Sequence, residues 1–201
     1  ISPDDDIFRF FAGHPTSVNP LRDYLADGWR TMVELQAVLE ACGRSVRGSG
    51  AFLEFASGHG RFTRHLRKAV PEGALWVSDV VPGSVDFLKH TFGVQGFESH
   101  TDPAQLQWPR RFDVIFVLSL FSHLPSRTWN TWLQRLVAGL APGGVLVFST
   151  HGEKCARMAQ VTLDEQGFAF FASSESTALD GEVYGCTYSA EAYVRRAIAQ
   201  A

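Results

Sequence analysis

The sequence predicts an α/β fold with a mostly parallel sheet and helices on both faces. Three observations carry that reading. Between residues 51 and 149, apolar runs of strand length alternate with helical patterns, the rhythm of strand–helix–strand units. One of those runs, Ala51 to Phe55, breaks into the small-residue turn Ala56-Ser-Gly-His-Gly60 and passes at once into the helical pattern Phe62–Val70. Ala141-Pro-Gly-Gly144 is a tight turn into the last strand.

The elements follow in order. Residues 1–18 combine the acidic run Asp4-Asp5-Asp6 with the aromatic cluster Phe8, Phe10, Phe11 and then His14-Pro15; without a clear period they read as a loop or short helix. Asn19-Pro20 is a helix start, with Asn as the cap and Pro in the first turn. Leu21 to Ala41 carries a helical stripe (Leu25, Trp29, Met32, Leu35, Val38, Leu39), weakened by Gly28 and ended by Gly43. Then come strand 51–55, helix 61–69, strand 74–78, helix 83–91, strands near 95–99 and at 113–118, helix 126–140 and strand 144–149. Residues 151–188 read as a hairpin-like insertion, with short strands at Gly167–Phe171 and Val183–Tyr188 around a polar loop containing Asp180-Gly181. Ser189 is expected to cap a final helix, Ala190 to Ala199. One domain is expected: an N-terminal helical or lid segment (1–50), a core (51–150), the insertion (151–188) and the final helix (189–201).

Composition narrows the function classes. The chain has 201 residues, 45% hydrophobic and 19% charged, with a net charge of −3, an ordinary globular balance. No Lys/Arg block is present, which argues against a dedicated nucleic-acid binder. No apolar run reaches the roughly 18 residues of a membrane span, and no signal peptide is visible. Cys42, Cys155 and Cys186 are odd in number and lack metal-ligand spacing, so they read as free thiols in a reducing cytoplasm.

The chemistry starts at Glu54-Phe-Ala-Ser-Gly-His-Gly60. A strand, a Gly-rich turn and a helix start bring backbone N–H groups close to a nucleotide-like ligand. Leu75-Trp-Val-Ser-Asp79 is a strand ending in an acid about 20 residues after the glycines, where a carboxylate accepts hydrogen bonds from ribose hydroxyls. Asp79 also argues against NADP, whose 2′-phosphate it repels.

The segment from Glu54 to Gly60 resembles motif I of the class I S-adenosylmethionine-dependent methyltransferases, usually written Asp/Glu-x-Gly-x-Gly-x-Gly, with Ala56 in place of the first glycine. Phe112-Asp-Val-Ile-Phe-Val-Leu-Ser-Leu-Phe-Ser-His-Leu-Pro125 is similar to the family's fourth-strand segment, and Leu140-Ala-Pro-Gly-Gly-Val-Leu-Val-Phe148 to its Leu-x-Pro-Gly-Gly turn and fifth strand. The whole pattern looks like bacterial domains of the general methyltransferase type. The resemblance implies a Rossmann-like three-layer sandwich and S-adenosyl-L-methionine as cofactor. It places Glu54 near the methionine part of the ligand, Asp79 and the adjoining Val80 at the ribose, and Ser119 and Leu120 near the sulfur end. Ala56, Ser57, Gly58 and Gly60 form the turn, Asp102 faces the adenine, and Tyr24 closes over the methionine end; Arg61 flanks the turn.

The reaction implied is direct methyl displacement onto a small-molecule or glycan-like acceptor, at oxygen. A hydroxyl acceptor must lose a proton, which suits a positioned His or Glu. His123 is the first candidate base, at the carboxyl edge of the sheet; His151 and Glu153, after the fifth strand, are next. His59 reads as exposed or capping, and Tyr184 and Tyr188 as packing residues with a possible place at the acceptor pocket. The fourth strand carries no end acids of the metal-dependent kind, so no metal is expected. Ser119-Leu-Phe-Ser122 stands where enzymes acting on nucleic-acid bases carry other motifs, so the expected partner is neither nucleic acid nor membrane. The alternative is a non-catalytic cofactor-binding module. The family usually ends in an antiparallel strand pair at the sheet edge. Here either those strands are missing from a longer protein, or the insertion's strands cap the edge instead.

Overall fold

The computed structural model describes residues 1–174, 176 and 178–201; Glu175 and Thr177, in the loop of the 151–188 insertion, lie outside the described residues. Five strands form the main sheet: β1 (Phe52–Phe55), β2 (Leu75–Asp79), β3 (Gln95–Glu98), β4 (Phe112–Val117) and β5 (Leu140–Phe148). Their order is β3-β2-β1-β4-β5, and every pairing is parallel. β1 lies in the middle, and all four of its residues are buried, as a strand covered on both faces requires. Asp113 secures its entry: Oδ2 accepts from the N–H groups of Gly50 and Ala51, both at 2.9 Å.

Two cores flank the sheet. On one face α2 (Pro20–Ala41), α3 (Thr63–Leu66) and α4 (Ser84–Phe92) cover Phe52, Val77 and Val114 with Met32, Leu35, Leu39, Leu66 and Leu88. On the other, α5 (Ser126–Val137) and α7 (Glu191–Ile198) bring Trp129, Trp132, Leu133 and Tyr193 against Leu53, Phe55, Ile115 and Val117. Strands therefore alternate their side chains between two layers of helices, which is the expected three-layer sandwich.

The N-terminal segment takes the short-helix alternative, α1 (Asp6–Gly13), capped by Asp5, whose side chain accepts from Phe8 N–H. Other elements depart from expectation. In α2 the buried face is Tyr24, Gly28, Thr31, Met32, Leu35 and Leu39, while Trp29 and Val38 are exposed. Met32, Leu35 and Leu39 of the stripe read from the sequence do make the contact, and Gly28, not Trp29, marks where α2 meets the turn before α3. The helix expected over 61–69 is α-helical only at Thr63–Leu66. The turn Ala141–Gly144 lies inside β5, where the ladder shifts register between Phe112 and Val114; it is a bulge in the strand rather than its lead-in.

The insertion holds an unexpected helix, α6 (Glu153–Met158), followed by β6 (Phe168–Phe171) and β7 (Cys186–Ser189), an antiparallel pair. This pair forms its own two-stranded sheet, so it does not cap the edge beside β5. Ser189 ends β7 rather than capping α7; Ala190 takes the cap position without a side-chain bond, and the Ser189 hydroxyl is buried with no partner among the described residues. No described helix is long and apolar enough to cross a membrane.

Candidate functional site

A cavity opens at the carboxyl edge of β1, β2 and β4, the place where parallel α/β sheets bind ligands. Its floor is the turn after β1. Ala56, Ser57, Gly58 and His59 line it, with Glu54 and Phe55 from the strand end, and Asp79, Val80 and Val81 from the end of β2. Ser119 and Leu120, just past β4, form the far wall.

The turn is held by the strand beside it. Gly58 N–H donates to Asp79 Oδ2 at 2.7 Å, Val81 N–H donates to Asp79 Oδ1 at 2.8 Å, and Ser57 N–H donates to Ser78 O at 3.2 Å. Gly58 (φ +53) and Gly60 (φ +85) lie in the left-handed region that favours glycine. The two serve different ends. A Cβ on Gly58 meets no protein atom and projects from a residue that lines the cavity, whereas a Cβ on Gly60 meets Leu88 Cδ2 at 2.5 Å. Gly60 therefore packs the turn against α4 and does not line the cavity, contrary to its expected place at the ligand. Ala56 also has positive φ, +59, which is why the motif usually has glycine there.

Two buried carboxylates dominate the electrostatics. Glu54 is 3% exposed and accepts from Thr63 Oγ1 at 2.6 Å. Burial pushes its pKa from 4.5 to about 8, with the Asp79 charge adding to the rise and the Thr63 hydroxyl and Arg64 opposing it. Burial also raises Asp79, against the lowering effect of the backbone N–H groups of Val81, Gly58 and Val80. Two carboxyls whose ionisation is opposed by burial in one cavity favour a cationic ligand, whose charge offsets the cost of ionising them. The open space over Gly58 and this anionic floor fit a nucleoside-bearing cation such as S-adenosylmethionine.

The roof comes from outside the sheet. Asp4, Asp5, Asp6 and Ile7 line the cavity from the N-terminal segment, and Ser176, Leu179, Val183 and Tyr184 from the insertion. No local pattern assigns a role to the acidic run; the docking of α1 brings it to the cavity. That docking rests on Tyr24, which is fully buried. Its hydroxyl donates to Asp5 Oδ2 at 2.6 Å, Phe8 and Phe11 meet its ring edge-on at 5.6 and 6.2 Å, and the Arg64 guanidinium lies over it at 5.3 Å. Tyr24 thus stands behind the lining and holds Asp5, rather than closing over the ligand itself. Ser176 Oγ donates to Asp6 Oδ2 at 3.3 Å, so the two roof segments meet.

The expected bases lie elsewhere. His123 is 4% exposed and does not line the cavity. Its Nδ1 sits 2.6 Å from Gly185 O, and its ring stacks on Tyr184 at 4.3 Å and 10°. Tyr184, which does line the cavity, donates its hydroxyl to Ser119 O at 3.2 Å. His151 faces Tyr188 at 5.5 Å; its buried Nδ1 has no partner among the described residues. Glu153 is exposed at the start of α6. Neither residue lines the cavity, nor does Tyr188. Asp102 caps the short 3₁₀ turn at Pro103–Gln105 by accepting from Ala104 N–H at 2.9 Å, a bond that lowers its pKa. Its neighbours Ser99, His100 and Thr101 line the cavity in its stead. Arg61 lines it too and pairs with Asp27. His59, read as exposed or capping, is 7% exposed and lines the floor.

Comparison with known proteins supports the sequence motif and the sheet order. Residues 53–146 match the family described as "Methyltransferase domain". The chain is 31% identical over 136 residues, 58% of its length, to a tRNA (guanine-N(7)-)-methyltransferase of Anaeromyxobacter dehalogenans (strain 2CP-C), and spans 65% of that relative. Among solved structures, the DhpI-SAM-HEP complex superposes with a TM-score of 0.60 at 17% identity, over 100% of this chain and 90% of the other. The N-methyltransferase NodS from Bradyrhizobium japonicum WM9, in complex with S-adenosyl-L-homocysteine, superposes with a TM-score of 0.53 at 21% identity, over 77% of this chain and 79% of the other. At these identities the superpositions speak to the fold: the chain has the α/β sandwich of the class I S-adenosylmethionine-dependent methyltransferases, and its residues 53–146 match the methyltransferase-domain family.

Proposed function

We propose that this protein transfers a methyl group from S-adenosylmethionine to a hydroxyl of a small polar acceptor, saccharide-like or of natural-product type. The observation that carries the reading is the cavity itself. Its floor has buried Glu54 and Asp79 at the ends of adjacent strands, and its roof is formed by residues 4–7 and by Ser176, Leu179, Val183 and Tyr184. When bound, S-adenosylmethionine supplies an electrophilic methyl on a cationic sulfonium, open to in-line attack. Asp79 and Val80 hold the ribose end, Ser57 and Gly58 the middle, and Glu54 the methionine end, where a nearby cation draws its carboxyl toward the ionised form. Tyr184 walls the acceptor side. His123 is a positioning residue: stacked behind Tyr184 and bonded to Gly185, it sets where that wall stands. Asp4 and Asp6, each paired with Arg9, are the roof carboxylates assigned to take the hydroxyl proton. The roof excludes water and limits the acceptor to a small molecule, and its acids repel a phosphate backbone.

The test is calorimetric titration with S-adenosylmethionine and S-adenosylhomocysteine, followed by release of S-adenosylhomocysteine across a panel of hydroxyl and amine acceptors. Binding of both ligands and turnover with a small hydroxyl acceptor is the expected result. Binding without turnover on any acceptor points to a non-catalytic module instead, and methylation of tRNA sinks the small-acceptor reading.

A further inference from the structure

The outer face of α2 carries a pattern that neither the sheet nor the cavity uses. Arg22, Ala26, Trp29, Val33, Gln36 and Glu40 are all exposed, and they follow one another at spacings of 4, 3, 4, 3 and 4 residues. That is the seam of a coiled coil, an a/d repeat with a period of about 3.5 residues. It runs over most of a 22-residue helix. At its centre Trp29 and Val33 are 59% and 51% exposed. The sheet is met by a different face, through Gly28, Met32, Leu35 and Leu39.

The seam is symmetric about Thr31. Arg22 and Glu40 lie nine residues to either side of it, Ala26 and Gln36 five, and Trp29 and Val33 two. An antiparallel second copy therefore sets Arg22 opposite Glu40, Ala26 opposite Gln36 and Trp29 opposite Val33, each larger side chain facing a smaller one. The charges fit this arrangement. Arg22 stands in the first turn of α2 and Glu40 in the last, which holds no basic residue. Each is at the end where the helix dipole disfavours its charge, and the opposite charge of a second copy offsets that. Arg22 gives Nε and Nη2 to Asp23 at 2.9 and 2.8 Å and keeps Nη1 for another acceptor. A parallel pairing instead sets Arg22 against Arg22 and Glu40 against Glu40, and like charges repel.

We propose that α2 is an interface: it pairs antiparallel with α2 of a second copy of this chain, about a two-fold axis at Thr31, to form a homodimer. In such an isologous contact both copies use the same patch, so one Arg22–Glu40 contact implies the other. Trp29 is the anchor at its centre, a residue type enriched where interfaces gain most of their energy. One helix per copy is a small interface, so the dimer is weak, with a Kd on the order of 10 µM. The inference is independent of the cofactor reading.

The experiment is sedimentation equilibrium of the full chain from about 1 to about 500 µM. It compares wild type, Trp29→Glu, Arg22→Glu, Glu40→Arg and an equimolar mixture of the last two. Wild type is expected to rise from 22.2 kDa toward twice that mass with concentration. Trp29→Glu is expected to stay monomeric. Each charge variant alone is expected to dimerise about 10-fold more weakly, since its two helix ends then carry one sign. The mixture is expected to recover wild-type affinity within about 3-fold, because an all-acidic seam meets an all-basic one. A wild type that is monomeric at every concentration overturns the proposal. So does a dimer indifferent to Trp29→Glu, or a mixture that associates no more tightly than either variant alone. Should Trp29→Glu fail to fold, the mixture decides: recovery supports the antiparallel pairing, and its absence refutes it.

Discussion

The floor and the roof of the cavity are built in different ways. The floor residues sit at or just past the ends of β1, β2 and β4, strands paired along their length in a parallel ladder. The turn is pinned within 3.2 Å by Gly58, Ser57 and Val81 N–H groups bonding to Asp79 and Ser78. The roof consists of α1 and the insertion, which join the body mainly through side chains: Tyr24 holds Asp5, Phe8 and Phe11, Tyr184 reaches Ser119, and Thr187 Oγ1 donates to Leu124 O. A few backbone bonds strap the insertion down, Gly185 N–H to His123 O and Thr187 N–H to Ser122 O among them. A floor that shares the sheet's cooperativity is preorganised for one ligand; a roof on a few contacts opens at lower cost and adapts to the acceptor.

Breaking the floor has the largest expected effect. Asp79→Ala removes the acceptor for the Gly58 and Val81 N–H groups as well as the ribose contact, and is expected to weaken S-adenosylhomocysteine binding by about 100-fold or more in calorimetry, about 3 kcal/mol. Binding within a few-fold of wild type rules out Asp79 as the nucleoside anchor.

Gly60→Ala tests the floor's packing without touching the ligand. The added methyl meets Leu88 in a backbone conformation that disfavours L side chains, so unfolding is expected to show a loss of about 2–3 kcal/mol. That corresponds to a drop in Tm of roughly 4–12 °C for a domain of this size.

The roof counterpart is smaller and local. Tyr24→Phe deletes the donor to buried Asp5 and is expected to cost about 1–2 kcal/mol. The loss should appear as faster proteolysis at Phe10 and Phe11 with cofactor affinity nearly unchanged. A large fall in cofactor affinity in this variant erases the distinction between floor and roof.

The remaining effect is a slope spread over several pH units. Glu54 holds its proton to about pH 8 when folded, against an ordinary 4.5, so between those values the folded state binds more proton than the unfolded. Its contribution to stability is complete below about 4.5 and is lost as pH rises toward 8, by at most about 1.4 kcal/mol per pH unit. Ligand-free Tm is expected to fall across that window and to fall less in Glu54→Gln. A Tm profile unchanged by the substitution refutes the raised carboxyl.

The floor was largely legible in the sequence, and the roof was not. Glu54, Ser57, Gly58, Asp79 and Ser119 stand at or beside strand ends, and the alternation of strand and helix fixes which edge of the sheet those ends share. His123 stands near the same edge, but its ring is covered by Tyr184, a residue far along the chain whose arrival no local pattern announces. His59 erred in the other direction. A turn residue reads as exposed, and only α4, through Phe87, closes over it. The stripe on α2 held at Met32, Leu35 and Leu39 and failed at Trp29 and Val38, and it passed over Gly28, which makes the close approach while carrying no hydrophobic signal.

What the sequence determined by itself was local: the strand and helix periods, the turn chemistry at 56–60, and the acids set at the two strand ends, each dictated by backbone sterics and side-chain spacing over a few residues. The tertiary structure alone decided which side chains face the cavity. Asp6 and Ser176 meet across a separation of 170 residues, and contacts of that kind depend on how whole layers pack, a balance of buried area and hydrogen bonding that leaves no period in the chain.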